Sequence, residues 1–114
     1  MVQRIDVGAR MSEAAIHNGT VYLAGQIAEV PGQDIEGQTR QVLAAIDALL
    51  AKAVTDKSKI LMTQIFLPDL ADFAGMNRVW DACVAPGHTP PRATVQAALA
   101  NPDWKIEVVV TAAV

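Results

Sequence analysis

The sequence predicts a two-layer α+β domain, a mixed β-sheet with two helices packed on one face, in the order β-β-β-α-β-α-β-β. Three observations predict it. The chain has strand character at both ends and helical hydrophobic period in two internal segments. A short apolar run ended by Pro68 separates those two segments. Turn chemistry breaks the chain at Asn18-Gly19, Pro31-Gly32, Pro86-Gly87 and Asn101-Pro102-Asp103. At 114 residues there is material for one core, so 1–114 reads as a single domain.

A short first strand is placed around Arg4. Residues 14–17 and 20–24 form a hairpin about Asn18-Gly19, because both turn positions tolerate positive φ. Pro31 and Gly32 make residues 30–34 a loop. Over about 36–53, Val42, Leu43, Ile46, Leu49 and Leu50 recur three and four apart, while Arg40, Gln41, Asp47 and Lys52 take other faces. That is an amphipathic helix of about five turns. Residues 60–67 then read as a buried strand. A second helix runs from about Asp69, as N-cap, to Val84, with Phe73, Met76, Trp80 and Cys83 as its inward stripe. Residues 92–99 and 104–112 read as a C-terminal hairpin in which Leu99 pairs with Trp104. Right-handed crossovers put both helices on one face and leave the other face bare in a monomer.

Composition narrows the function. The chain is 52% hydrophobic and 18% charged, against a usual charged share of ~25%, the reverse of a disordered chain. No apolar run of ~18 residues exists, so no membrane-spanning helix is expected. The opening residues Met1 to Asp6 lack the basic start and apolar stretch of a secretory signal, and Cys83 is the only cysteine; a cytoplasmic protein is expected. A net charge of −3 and a pI near 5.2 argue against phosphate backbones as partners. The apolar excess, with small alanines throughout, points to self-association.

Most chemistry is excluded in the same way. His17 and His88 lie in different segments without a carboxylate or thiol at ligand spacing, so no metal site is expected. Cys83 falls on the buried stripe of the second helix and reads as core. The glycines are scattered and make no phosphate cradle, and neither Ser12 nor Ser58 sits in a nucleophile elbow. What survives is on the last two strands. In the expected register Arg92, Thr94, Gln96 and Ala98 share a face with Lys105, Glu107, Val109 and Thr111. The opposite face, with Ala93, Val95, Ala97, Leu99, Ile106, Val108 and Val110, meets the helices. Arg92 and Glu107 then stand roughly 13 Å apart on the uncovered face. A slip of one residue would put them on opposite faces. They are either surface charges in an oligomer contact or a site for a small anion. In the second case the guanidinium forks a carboxylate and the glutamate holds a water.

The stretch Pro91-Arg92-Ala93-Thr94-Val95, followed by Ala98-Leu99 and Ile106-Glu107-Val108, resembles the C-terminal signature of the Rid (YjgF/YER057c/UK114) family. Leu23-Ala24-Gly25-Gln26-Ile27, Gln38-Thr39-Arg40, Phe66-Leu67-Pro68-Asp69-Leu70 and the run from Asp72 to Asn77 extend the likeness over nearly the whole chain. Ile16-His17-Asn18-Gly19, Trp80-Asp81-Ala82-Cys83 and Gly87-His88 are similar to the YoaB-like branch. The resemblance implies the YjgF-like, chorismate-mutase-like fold and a homotrimer with one ligand cleft at each subunit interface. It implies cofactor-free hydrolysis of 2-aminoacrylate and related imines to a 2-oxo acid and ammonia. Arg92 is then the anchor for the substrate carboxylate and Glu107 the group that orients water. Gly25 brings its backbone amide to the ligand, and Thr94 adds a hydroxyl beside Arg92. Met11, Ala24 and Thr94 stand where the deaminases often carry tyrosine, serine and cysteine, so a different substrate preference or slower turnover is expected. The alternatives are a non-catalytic sensor of 2-oxo acids or similar carboxylates and, disfavoured by the acidic charge, an endoribonuclease or translation inhibitor.

Overall fold

The computed structural model describes residues 1–114. Its elements are β1 (Gln3–Val7), β2 (Ser12–His17), β3 (Thr20–Leu23), α1 (Ile35–Lys52), β4 (Ile60–Leu67), α2 (Phe73–Cys83), β5 (Arg92–Gln96) and β6 (Glu107–Ala113). The strands form one six-stranded sheet in the order β1-β2-β3-β6-β4-β5, antiparallel except where β4 and β5 run parallel. The expected element order and α+β class hold.

The β2–β3 hairpin turns where expected. His17 pairs with Thr20, and Asn18 and Gly19 take φ of 51° and 76°. Asp34 caps α1 by accepting a hydrogen bond from the Gly37 amide at 2.9 Å. Val42, Ile46, Leu49 and Leu50 pack from α1 onto Val21, Leu23, Ile65, Leu67, Ile106, Val108 and Val110 of the sheet. α2 packs close to α1 at Gly75, where a Cβ would lie 2.7 Å from Ile35 Cγ2.

Two details of α2 differ from expectation. Asp69 caps a separate 3₁₀ turn over Leu70–Asp72 through the Ala71 amide, and α2 proper starts at Phe73. The deeply buried stripe is Gly75, Met76 and Val79, while Phe73 is exposed and Trp80 and Cys83 are half-buried. The helix is rotated so that Phe73 and Trp80 turn toward the sheet edge at β5.

The C-terminal hairpin does not form. Residues 101–104 do turn, with the Trp104 amide donating to the Asn101 carbonyl at 3.1 Å. But β6 lies between β3 and β4, and β5 lies at the edge beside β4. The apolar run through Ile106, Val108, Val110 and Ala112 takes a central position because all four side chains are buried in the core. β5 instead closes a β4–α2–β5 unit, and a strand that returns through a helix to lie beside its predecessor runs parallel to it.

This topology changes one face. β6 keeps the expected phase, with Val108 and Val110 toward the helices and Glu107, Val109 and Thr111 away from them. In β5 the phase is reversed. Arg92 and Thr94 pair with Thr63 and Ile65, which are buried under the helices, and Ala93 and Val95 pair with Gln64 and Phe66 on the open side. The open side is apolar and uncovered in the single chain: Tyr22 is 54% exposed, Val95 45% and Met62 38%.

Candidate functional site

Arg92 and Glu107 therefore lie on opposite faces of the sheet, and the expectation that they share the uncovered face is corrected. β4 stands between them: Arg92 is level with Thr63, while Glu107 is level with Phe66.

Arg92 emerges at the start of the edge strand, after Pro91, and its half-buried side chain runs under α2. Nη1 donates to Asn77 Oδ1 at 2.8 Å and lies 4.0 Å from Met76 Sδ. The guanidinium carbon is 5.0 Å from the Trp80 ring centroid and 5.9 Å from that of Phe73, within cation–π range. The ion pairs of the chain join Arg40 and Arg78 to Glu36 and Lys52 to Asp6; none involves Arg92. Two residues along, the Thr94 hydroxyl is buried without a hydrogen-bond partner, and so is that of Thr63, the cross-strand neighbour of Arg92.

Glu107 opens β6. A pair of backbone hydrogen bonds between Gln26 and Val108, at 2.8 and 3.0 Å, draws the segment after β3 alongside it. Gly25 consequently lies against the Glu107 carboxylate: a Cβ at position 25 would overlap Oε2 and stand 2.9 Å from Cδ. Both residues line a cleft of about 840 Å³ with Met11, Glu13, Gln26 and Trp104 among its walls. Gln26 Nε2 donates to Glu13 Oε2 at 3.1 Å and to the Ala24 carbonyl at 3.0 Å, which fixes this wall. The Glu107 cleft is acidic and the Arg92 cradle holds an unpaired cation.

Of the sequence-predicted residues, Gly25 and Glu107 come together, and Arg92 and Thr94 come together, but the two pairs are separate within one chain. The aromatic and amide partners of Arg92 were missed as functional groups. Phe73, Asn77 and Trp80 sit at i, i+4 and i+7, so the available signal was one amide inside an apolar helical stripe. His17 ends β2 and His88 follows α2, in separate parts of the fold. Cys83 lines a small crevice between the helices, and its carbonyl accepts a hydrogen bond from Lys57 Nζ at 2.6 Å. No helix is long and apolar enough to cross a membrane.

A mixed sheet with two helices on one face is the architecture of the YjgF proteins. A solved structure of a YjgF-family member from Neisseria meningitidis superposes with a TM-score of 0.96 at 43% identity, covering 99% of this chain and 94% of that one. A model of the family described as Endoribonuclease L-PSP matches residues 1–114. The chain belongs to this family, the Rid (YjgF/YER057c/UK114) proteins. It is 50% identical to the RutC family protein YoaB of Escherichia coli K12 over 113 residues, 99% of this chain and 98% of YoaB. It is 34% identical to the chloroplastic Reactive Intermediate Deaminase A of Arabidopsis thaliana over 103 residues, 85% of this chain and 54% of that protein.

Proposed function

We propose that the protein is a hydrolytic deaminase of reactive 2-imino and enamine acids of the 2-aminoacrylate type, acting as a cytoplasmic homotrimer. The observation that carries the reading is the Arg92 guanidinium, held in place by an amide and two rings yet paired with no carboxylate of its own chain. A planar fork so held is a receptor for a ligand carboxylate. Likeness to a protein named Reactive Intermediate Deaminase A supports the reaction class.

Because the sheet separates Arg92 from Glu107, one small ligand meets both only where two copies adjoin. One subunit supplies Arg92 and Thr94; its neighbour supplies Gly25 and Glu107. The bare apolar sheet face is the surface such an assembly would cover. In the reaction, an enamine first takes a proton from solvent at its β-carbon and becomes the imine; water then adds to the imine carbon, forming a C–O bond. The C–N bond then breaks, nitrogen leaves as ammonia with the transferred protons, and a 2-oxo acid remains. Arg92 fixes the substrate by its carboxylate, and Glu107 accepts a proton from the attacking water. No metal or organic cofactor enters this balance.

The test is release of 2-oxo acid from a 2-imino acid generated in situ. The wild type accelerates it over the spontaneous rate and Arg92→Ala does not; equal rates for the two proteins overturn the site. A second reading, a sensor of 2-oxo acids without turnover, is favoured by one observation. The residues lining the Glu107 cleft include no serine, threonine, tyrosine or histidine, so the Thr94 hydroxyl is the one such group that the assembled site would offer beside the carboxylates. Binding of pyruvate without acceleration of hydrolysis would select it. The ribonuclease activity in the family's description fits poorly with a net charge of −3.

A further inference from the structure

We infer that Asn77 is a positioning residue whose neutrality is its function: it holds the Arg92 guanidinium without cancelling its charge, and so keeps that charge free for the ligand. The inference rests on the reading of Arg92 as a carboxylate anchor and adds the group that controls it.

Every group on the Arg92 cradle is uncharged. Phe73, Met76, Asn77 and Trp80 present two rings, a thioether and an amide from one side of α2. The contrast with the next residue is direct, because Arg78 is held by Glu36 through two hydrogen bonds, at 3.2 and 3.1 Å. Arg40 shares the same glutamate, and Lys52 has Asp6. A carboxylate at position 77 would hold Arg92 at least as firmly, since aspartate has the shape of asparagine and a charge-assisted bond is the stronger one. It would also satisfy the guanidinium, so an incoming carboxylate would meet a neutral pair with an anion beside it. The amide gives orientation without neutralisation. It also takes up one N–H of Nη1, which has Met76 Sδ as its second neighbour, and leaves Nη2 and Nε to a ligand.

The experiment compares wild type, Asn77→Asp, Asn77→Ala and Arg92→Ala as full-length protein. It measures pyruvate binding by calorimetry, kcat and KM for imine hydrolysis, and Tm. Asn77→Asp is expected to keep or raise Tm while weakening pyruvate binding and raising KM by about thirtyfold or more. Asn77→Ala, which frees the guanidinium but leaves it charged, is expected to lose only about three- to tenfold. That order is the discriminating result, because a merely structural holding role makes alanine the worse substitution. Wild-type-like binding by Asn77→Asp, or an effect smaller than that of alanine, overturns the inference. Failure of Asn77→Asp to fold overturns it equally, since amide and carboxylate must fill the same place. Undiminished binding and turnover in Arg92→Ala would overturn the anchor itself. Loss in Arg92→Ala with a silent Asn77→Asp overturns the role of Asn77 alone.

Discussion

Gly25 and Glu107 are in van der Waals contact across two segments far apart in sequence, and the Glu107 carboxylate occupies the place a side chain at 25 would need. Gln26 and Val108, each one residue further along, clamp the two backbones together. The glycine therefore determines where the carboxylate sits. Gly25→Ala is expected to displace the carboxylate into the cleft and lower imine hydrolysis about tenfold or more, the scale of misplacing a general base. Tm should change little, because the glutamate lies at a cleft wall and can swing away. Steady-state kinetics beside a thermal melt checks this. A large loss of Tm with unchanged kcat would show that the contact serves the fold alone.

Gln38 is fully buried in α1 and ties three loop positions to the helix. Its Nε2 lies within hydrogen-bond range of the carbonyls of Pro31 at 2.8 Å, Gln33 at 3.0 Å and Asp103 at 3.1 Å. Its Oε1 accepts from the Lys105 amide at 2.9 Å, two residues before Glu107. Gln38→Leu keeps the bulk and leaves those buried backbone groups without a partner. It should destabilise the protein by about 3 kcal/mol in urea unfolding and also lower activity, because the entry to β6 loses its tie.

What was legible in the sequence follows the range of the forces involved. Asn18-Gly19, the stripe from Val42 to Leu50 and the run closed by Pro68 are local signals, and each marks its element in the structure. The phase of β6 was equally legible, since Ile106, Val108 and Val110 can only face a core. Strand pairing was not. Asn101-Pro102-Asp103 is a turn in either topology, and nothing local states that β6 pairs with β3 and β4 while β5 pairs with β4. Pairing β5 with β4 in place of β6 inverts the face on which Arg92 and Thr94 lie, while their residue types mark them as candidates in either topology. The resemblance identified the residue types of the site, and the non-local pairing decided which of them meet within one chain.

Asp56 offers a check on local electrostatics. It caps the 3₁₀ turn Lys57–Lys59, where the Ser58 hydroxyl and then the Ser58 amide hydrogen-bond its carboxylate. Those bonds, with lesser help from Lys59 and His88, hold it below the usual aspartate range. A carboxyl depressed on folding contributes stability above its unfolded pKa, and that contribution is lost as pH falls through the folded value. In carboxyl NMR titration Asp56 should therefore be among the last aspartates to protonate on acidification. Ser58→Ala should move it part of the way back up, leaving the amide bond. Any stability difference between the two proteins should be present at pH 6 and vanish in strong acid.

The C-terminus of α1 carries a strained residue that its sequence does not announce. Val54 has φ of 60° and is 87% exposed. Its amide donates to the Ala51 carbonyl and that of Thr55 to the Leu50 carbonyl, both at 3.0 Å, so the helix ends in a Schellman motif with valine where glycine is usual. A β-branched residue is disfavoured in the left-handed region, where glycine has no Cβ to clash. Val54→Gly should raise stability by about 0.5–1 kcal/mol, seen as a higher urea midpoint with unchanged slope. Val54→Ala keeps the Cβ and should recover little of that gain. Destabilisation by glycine would show instead that the exposed valine is covered in the assembled protein, and size-exclusion chromatography of the variant would then reveal a weakened oligomer.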